Sequence, residues 1–152
     1  MEVKDIKELL DVAIAMEEEA HLFYTNVASI LDNPSLVSMF KELAVEEIRH
    51  KQFLQGLSKR SDIKVVINAP KHNFKITEQV ELPKLTMEMK PADAIALAMK
   101  KELQSAEFYE GLAENTTDPA IKDAALNLAN MELQHKAKLE NAYVDIAYIE
   151  SF

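Results

Sequence analysis

Apolar residues in the first part of the chain recur at helical spacing: Ile6, Leu10, Ala13 and Ile14, then Tyr24, Ala28 and Leu31. A stripe of this kind predicts an amphipathic helix with one face turned to a core. It is expected to begin near Asp5, which with Glu8 has the spacing of a capping box. The run "DNPS" at 32–35 stops this helix and starts a second, with Pro34 in the first turn, where its missing N–H costs nothing. Phe40, Leu43, Leu54 and Leu57 carry the second stripe, and this helix extends to about Gly56. A third helix follows Pro91 and runs to about Glu114. "TTDPA" at 116–120 then repeats the punctuation, with Asp118 as cap and Pro119 in the first turn of a fourth helix that runs toward the C-terminus.

Displaced by 85 residues, the chain aligns with itself without a gap. Ala13 meets Ala98, Phe23 and Tyr24 meet Phe108 and Tyr109, Pro34 meets Pro119, and Leu54 meets Leu139. Two repeated helical hairpins bury their stripes most simply against each other, which predicts an all-α four-helix bundle. The expected organisation is a single domain over 1–152, with helical pairs at 5–57 and 91–150 and a crossover at 58–90. That connection is too long for a hairpin turn and long enough to run the length of a bundle, which would make helices 2 and 3 parallel. Exchange of the segment between subunits is the other arrangement its length allows. "IKVVI" within it could form a short strand, but no partner strand is recognisable.

The stripes also carry residues that a core does not ask for. "EIRH" places Glu47 and His50 on the apolar face of helix 2, and "ELQH" places Glu132 and His135 at the matching positions of helix 4. The first helix of each pair adds one more acid, Glu17 and Glu102, each 30 residues before the Glu-x-x-His of its own half. Taken singly, each would read as a solvated acid or a satisfied histidine. Six in register on buried stripes make a different case, because unpaired charge in a core is costly. A Glu and a His three apart project from one helix face, so both can touch a metal ion. Four carboxylates balance two divalent cations, which neutralises such a cluster; without metal the acids repel and some stay protonated.

Tyr24 and Tyr109 each follow a stripe Glu by two helical turns, so their hydroxyls could reach a ligand carboxylate. Equally, they could be core aromatics whose hydroxyls find any acceptor. Glu18, Glu19 and Glu46 fall off the stripe and are expected to be solvated. His21 lies near the face of Glu17, but its counterpart is Ala106, so it reads as a boundary residue. His72, in the crossover, is expected to be exposed, and the methionines fill core space.

Composition narrows the function. The chain has no cysteine, which removes thiolate metal sites, iron–sulfur clusters and a thiol nucleophile. A formal charge of −9 argues against nucleic acid or an anionic membrane as partner. No apolar run approaches the ~20 residues of a membrane span, and no signal-peptide pattern appears, so the expected location is cytoplasmic.

The repeated "EEEAHLFY" and "ELQSAEFY", with a Glu-x-x-His in each partner helix, resemble the rubrerythrin family of ferritin-like proteins. The resemblance implies a di-iron centre held by Glu17, Glu47, His50, Glu102, Glu132 and His135. It also implies an enzyme that reduces hydrogen peroxide, or less readily dioxygen, to water as a defence against oxidative stress. That family usually carries a rubredoxin-like domain whose iron is held by cysteines. Here the electrons would come from an external donor such as a rubredoxin-like protein, and a homodimer is the expected assembly. The family has a further Glu one turn after the helix-3 ligand; Ser105 stands there, so the ligand exchange which that acid serves is not implied. Bacterioferritins share the ligand set, which makes iron oxidation and storage the alternative function. Oxygen and nitrogen donors accept manganese as well as iron.

Overall fold

A computed structural model describes residues 6–60 and 90–150, with only the helical backbone for 147–150. The fold is all-α: α1 (Ile6–Ile30), α2 (Pro34–Ser58), α3 (Pro91–Asn115) and α4 (Pro119–Glu150), with no strand among the described residues. Asp5 and its capping box, the candidate strand, His72 and nearly all of the crossover lie outside the described residues.

The punctuation works through side-chain caps. Asn33 accepts from the N–H groups of Ser35 and Leu36 ahead of Pro34. Asp118 accepts from Ala120 and Ile121 at 2.9 and 3.2 Å ahead of Pro119. Each cap satisfies donors that the first helical turn leaves open. Asp118 also takes Arg60 at 3.3 Å, tying the end of α2 to the start of α4.

The apolar stripes meet in two separate clusters. One joins Leu9, Leu10 and Ala13 of early α1 with Leu54, Phe108, Leu112, Ile121 and Leu128. The other joins Tyr24 and Val27 of late α1 with Leu36, Phe40, Leu43, Ile95 and Leu139. Early α2 and early α3 thus lie at the same end of the bundle, and α1 runs antiparallel to α3. The predicted positions Ile6, Leu10, Ala13, Tyr24 and Ala28 are buried, and Leu9 and Val27 join them. Each fully buried Leu, Ile or Phe contributes about 1.5–3 kcal/mol.

Glu17, Glu47, Glu102 and Glu132 sit on their helices between the residues of one cluster and those of the other. A polar layer therefore divides the core at mid-height. Among the described residues, no helix is long and apolar enough to cross a membrane.

Candidate metal centre

All six stripe residues arrive in this layer. Glu17, Glu47, Glu102 and Glu132 are no more than 2% exposed, and His50 and His135 are 7% and 6% exposed. Their donor atoms fall into two groups, one of Glu17, Glu47, His50 and Glu132, the other of Glu47, Glu102, Glu132 and His135. Within each group the atoms lie within 4.8 Å of one another. Glu47 and Glu132 belong to both, the position a bridging carboxylate needs. Glu17 and Glu102 each belong to one, as terminal donors would.

The sequence repeat becomes a pseudo-two-fold axis through the layer. His50 Nδ1 lies 2.9 Å from Glu132, and His135 Nδ1 lies 3.0 Å from Glu47. His50 is 3.6 Å from Glu17, and His135 is 3.5 Å from Glu102. The imidazole rings face each other, nearly parallel, with centroids 5.9 Å apart. The tyrosines follow the same symmetry across the bundle: Tyr24 donates to Glu102 and Tyr109 donates to Glu17. Neither serves the Glu on its own helix. The spacing placed both hydroxyls near stripe acids, but only the packing of α1 on α3 determines which acid each one meets.

Glu17 Oε2, Glu46 Oε2, Glu47 Oε2, Glu102 Oε2, Glu132 Oε1 and His50 Nδ1 are buried and make no well-directed hydrogen bond. Buried polar atoms are rarely left so, and a cluster of them aimed at one space fits a bound cation. The donor set, carboxylates with imidazoles, suits divalent iron, manganese or zinc.

The protonation pattern of the metal-free cluster follows from this crowding. Burial, reinforced by Glu47, pushes Glu17 up to about 8. Burial, and then the charges of Glu102, Glu47 and Glu17, lift Glu132 well above the usual carboxylate range. Burial would raise Glu47 too, but contacts with Glu17, His135 and His50 outweigh it and hold this acid below its ordinary value. Burial opposes charge on the imidazoles, yet Glu17 and Glu47 hold His50 at about 10, and Glu102 and Glu47 do the same for His135. Burial and the neighbouring acids keep both tyrosine hydroxyls protonated, so they remain donors. Metal ligands must shed protons, so a cation entering the cluster would displace bound protons.

Glu18 and Glu19 point away from the layer as expected, pairing with Lys51 and Lys101. His21 donates to the Ala44 carbonyl at 2.8 Å, the boundary role its unmatched counterpart suggested. Ser105 is buried one turn after Glu102. Glu46 departs from expectation. It is only half-exposed, and its carboxylate lies 2.7 Å from His135 Nε2. Helices α2 and α4 part here around a cavity of about 230 Å³ lined by Glu46, Arg49, His50, Met131, Gln134 and His135, with Lys138 at its edge. A residue one step off the stripe can therefore reach the facing imidazole. The doublet Glu46-Glu47 before His50 was the available signal, but the repeat concealed it by pairing Glu46 with Met131.

The Rubrerythrin family model matches residues 8–143. The chain belongs to the rubrerythrin family. Solved structures share its fold across nearly the whole length. A Pyrococcus furiosus hypothetical protein is 30% identical, with a TM-score of 0.74 over 94% of this chain and 90% of its own. A Thermotoga maritima protein described as ferritin-like and diiron-carboxylate is 19% identical, with a TM-score of 0.74 over 94% of this chain and 97% of its own. An uncharacterised conserved protein from Magnetospirillum magnetotacticum is 20% identical, with a TM-score of 0.66 over 91% and 93%. No curated protein matches the sequence. The family and the buried Glu/His cluster together fit a rubrerythrin-type metal centre.

Proposed function

We propose that this rubrerythrin-family chain is a di-iron redox enzyme that reduces hydrogen peroxide to water with electrons from a separate donor protein. The observation that carries the reading is the pair of four-residue groups that share Glu47 and Glu132. When bound, two ferrous ions would supply the two electrons that peroxide reduction needs.

The chain's own part is holding and excluding. Glu47 and Glu132 would span both ions, Glu17 and His50 would close one position, and Glu102 and His135 the other. Tyr24 and Tyr109 fix the terminal acids by donating to one oxygen of each, leaving the other oxygen free for metal. The two apolar clusters above and below cover the layer along the bundle axis, where low polarity strengthens the electrostatic contacts. A rubredoxin-type protein would supply the electrons, and the chain would work as a homodimer.

Anaerobic reconstitution followed by elemental analysis should find close to two irons per chain. Stopped-flow oxidation of the diferrous protein should then run faster with hydrogen peroxide than with dioxygen at equal concentration. Faster reaction with dioxygen, together with a many-subunit shell retaining ferric iron by native mass, would replace the reading with iron storage. Folded protein that takes up no metal would refute both. Slow reaction with either oxidant would identify Ser105 as a functional loss, and Ser105→Glu should then restore the rate.

A further inference from the structure

The repeat gives every residue of the centre a counterpart 85 positions away, and one contact breaks the rule. His135 Nε2 has the Glu46 carboxylate at 2.7 Å. The position that matches Glu46 is Met131, which borders the same cavity as His50 and brings a thioether in place of an acid. His50 meets acids through Nδ1, and among the described residues none pairs with its Nε2.

We propose that Glu46 is a positioning residue that makes the two metal positions unequal, so that the one built on Glu102 and His135 fills before the one built on Glu17 and His50. The proposal rests on the metal-binding reading above. In both imidazoles Nδ1 faces the carboxylates, so ligation through Nδ1 requires the proton on Nε2. A carboxylate this close to Nε2 favours the proton on that nitrogen and leaves Nδ1 as the donor, although the pair lacks the direction of a hydrogen bond. His50 lacks this support, and only its Nδ1 contacts with Glu17, Glu47 and Glu132 bear on its ring. The Glu46 side chain is 40% exposed, but the oxygen facing His135 is buried, so its charge acts on Nε2 at close range.

The test is an anaerobic titration with cobalt(II), whose visible absorption follows each ion as it binds, on four proteins: the native chain, Glu46→Gln, Met131→Glu and His50→Ala. The native chain should bind in two steps. Glu46→Gln should weaken the tighter step by about 10–100-fold and leave the other unchanged, the usual cost of losing such a partner. Met131→Glu should tighten the weaker step and bring the two together. His50→Ala should retain the tighter step alone. Two equal steps in the native chain, or a Glu46→Gln effect on both steps or on neither, would overturn the proposal and leave the dinuclear reading standing. No cobalt bound by the native, folded chain would overturn the dinuclear reading and the proposal with it.

Discussion

The polar layer has two unlike sides. Toward α1 and α3 it is closed by Tyr24 and Tyr109, which are 0% and 1% exposed and send their hydroxyls crosswise into Glu102 and Glu17. Toward α2 and α4 it ends in two imidazoles that border a cavity of about 230 Å³, with Arg49 and Lys138 beside them. The same backbone symmetry generates both sides, so the difference is chemical. Hydroxyl donors on one side hold acids still, while protonated imidazoles on the other stand next to an opening. A small molecule or a metal ion has its shorter path on the histidine side.

Removing each side in turn gives the largest contrast. His50→Ala with His135→Ala should abolish tight metal binding, because each position loses its only nitrogen donor. Tyr24→Phe with Tyr109→Phe should still bind two ions, with affinity lowered severalfold. Each lost hydroxyl should also cost the metal-free fold about 1–3 kcal/mol, since a buried acid oxygen loses its donor. Metal titration and chemical denaturation of both double variants check this. If the tyrosine variant also loses metal binding, the two sides are not distinct in role.

The next effect is one of pH on the metal-free protein. Glu17 rises from 4.5 to about 8, and His50 and His135 rise from 6.5 to about 10. These groups bind protons more tightly folded than unfolded. Their contribution to stability is complete below the unfolded values and is lost as pH climbs, from 4.5 through 8 for the acid and from 6.5 through 10 for the imidazoles. Glu47 has the opposite sign, and its contribution is lost only as pH falls below 4.5. The melting temperature of the metal-free protein should therefore fall between about pH 6 and pH 9, while the increment gained on adding metal grows. Calorimetric scans across that range, with and without metal, would show it; a rising or level curve for the metal-free protein would contradict the proton-loaded cluster.

The smallest effect concerns access. Met131→Trp should fill part of the cavity and slow metal uptake severalfold without changing the final stoichiometry, whereas Tyr109→Phe should leave the uptake rate unchanged. Stopped-flow cobalt binding compares them directly. Equal slowing by both would mean that ions enter by another route.

Much of this was legible in the sequence because helical periodicity ties burial to spacing. Glu17, Glu47, Glu102 and Glu132 shared a stripe with Leu10, Leu43, Ala98 and Leu128, so their burial followed once those stripes met. The repeat supplied the pairing of halves, and the Asn-Pro and Asp-Pro breaks located the helix starts. Spacing along one helix carries no information about the helix across from it. The crosswise choice of the tyrosines depends on the axial offset of α1 against α3. The reach of Glu46 to His135 depends on how far α2 and α4 stand apart. Both are properties of packing between hairpins, and a residue that breaks the repeat, as Glu46 does against Met131, has no partner in the sequence to draw attention to it.

The donors are shared symmetrically between the two hairpins. Each group takes three residues from one hairpin and borrows the fourth, Glu132 or Glu47, from the other. A single two-helix unit could thus offer one ion a Glu and a Glu-x-x-His, and two copies related by a two-fold axis would complete both positions with no further residue. Joining two such units in one chain does more than pair them. What it adds is independence: once the copies share a chain, a substitution can fall on one half alone. Glu46 opposite Met131, Ser105 opposite Ala20 and His21 opposite Ala106 are differences that an assembly of identical subunits could not have held.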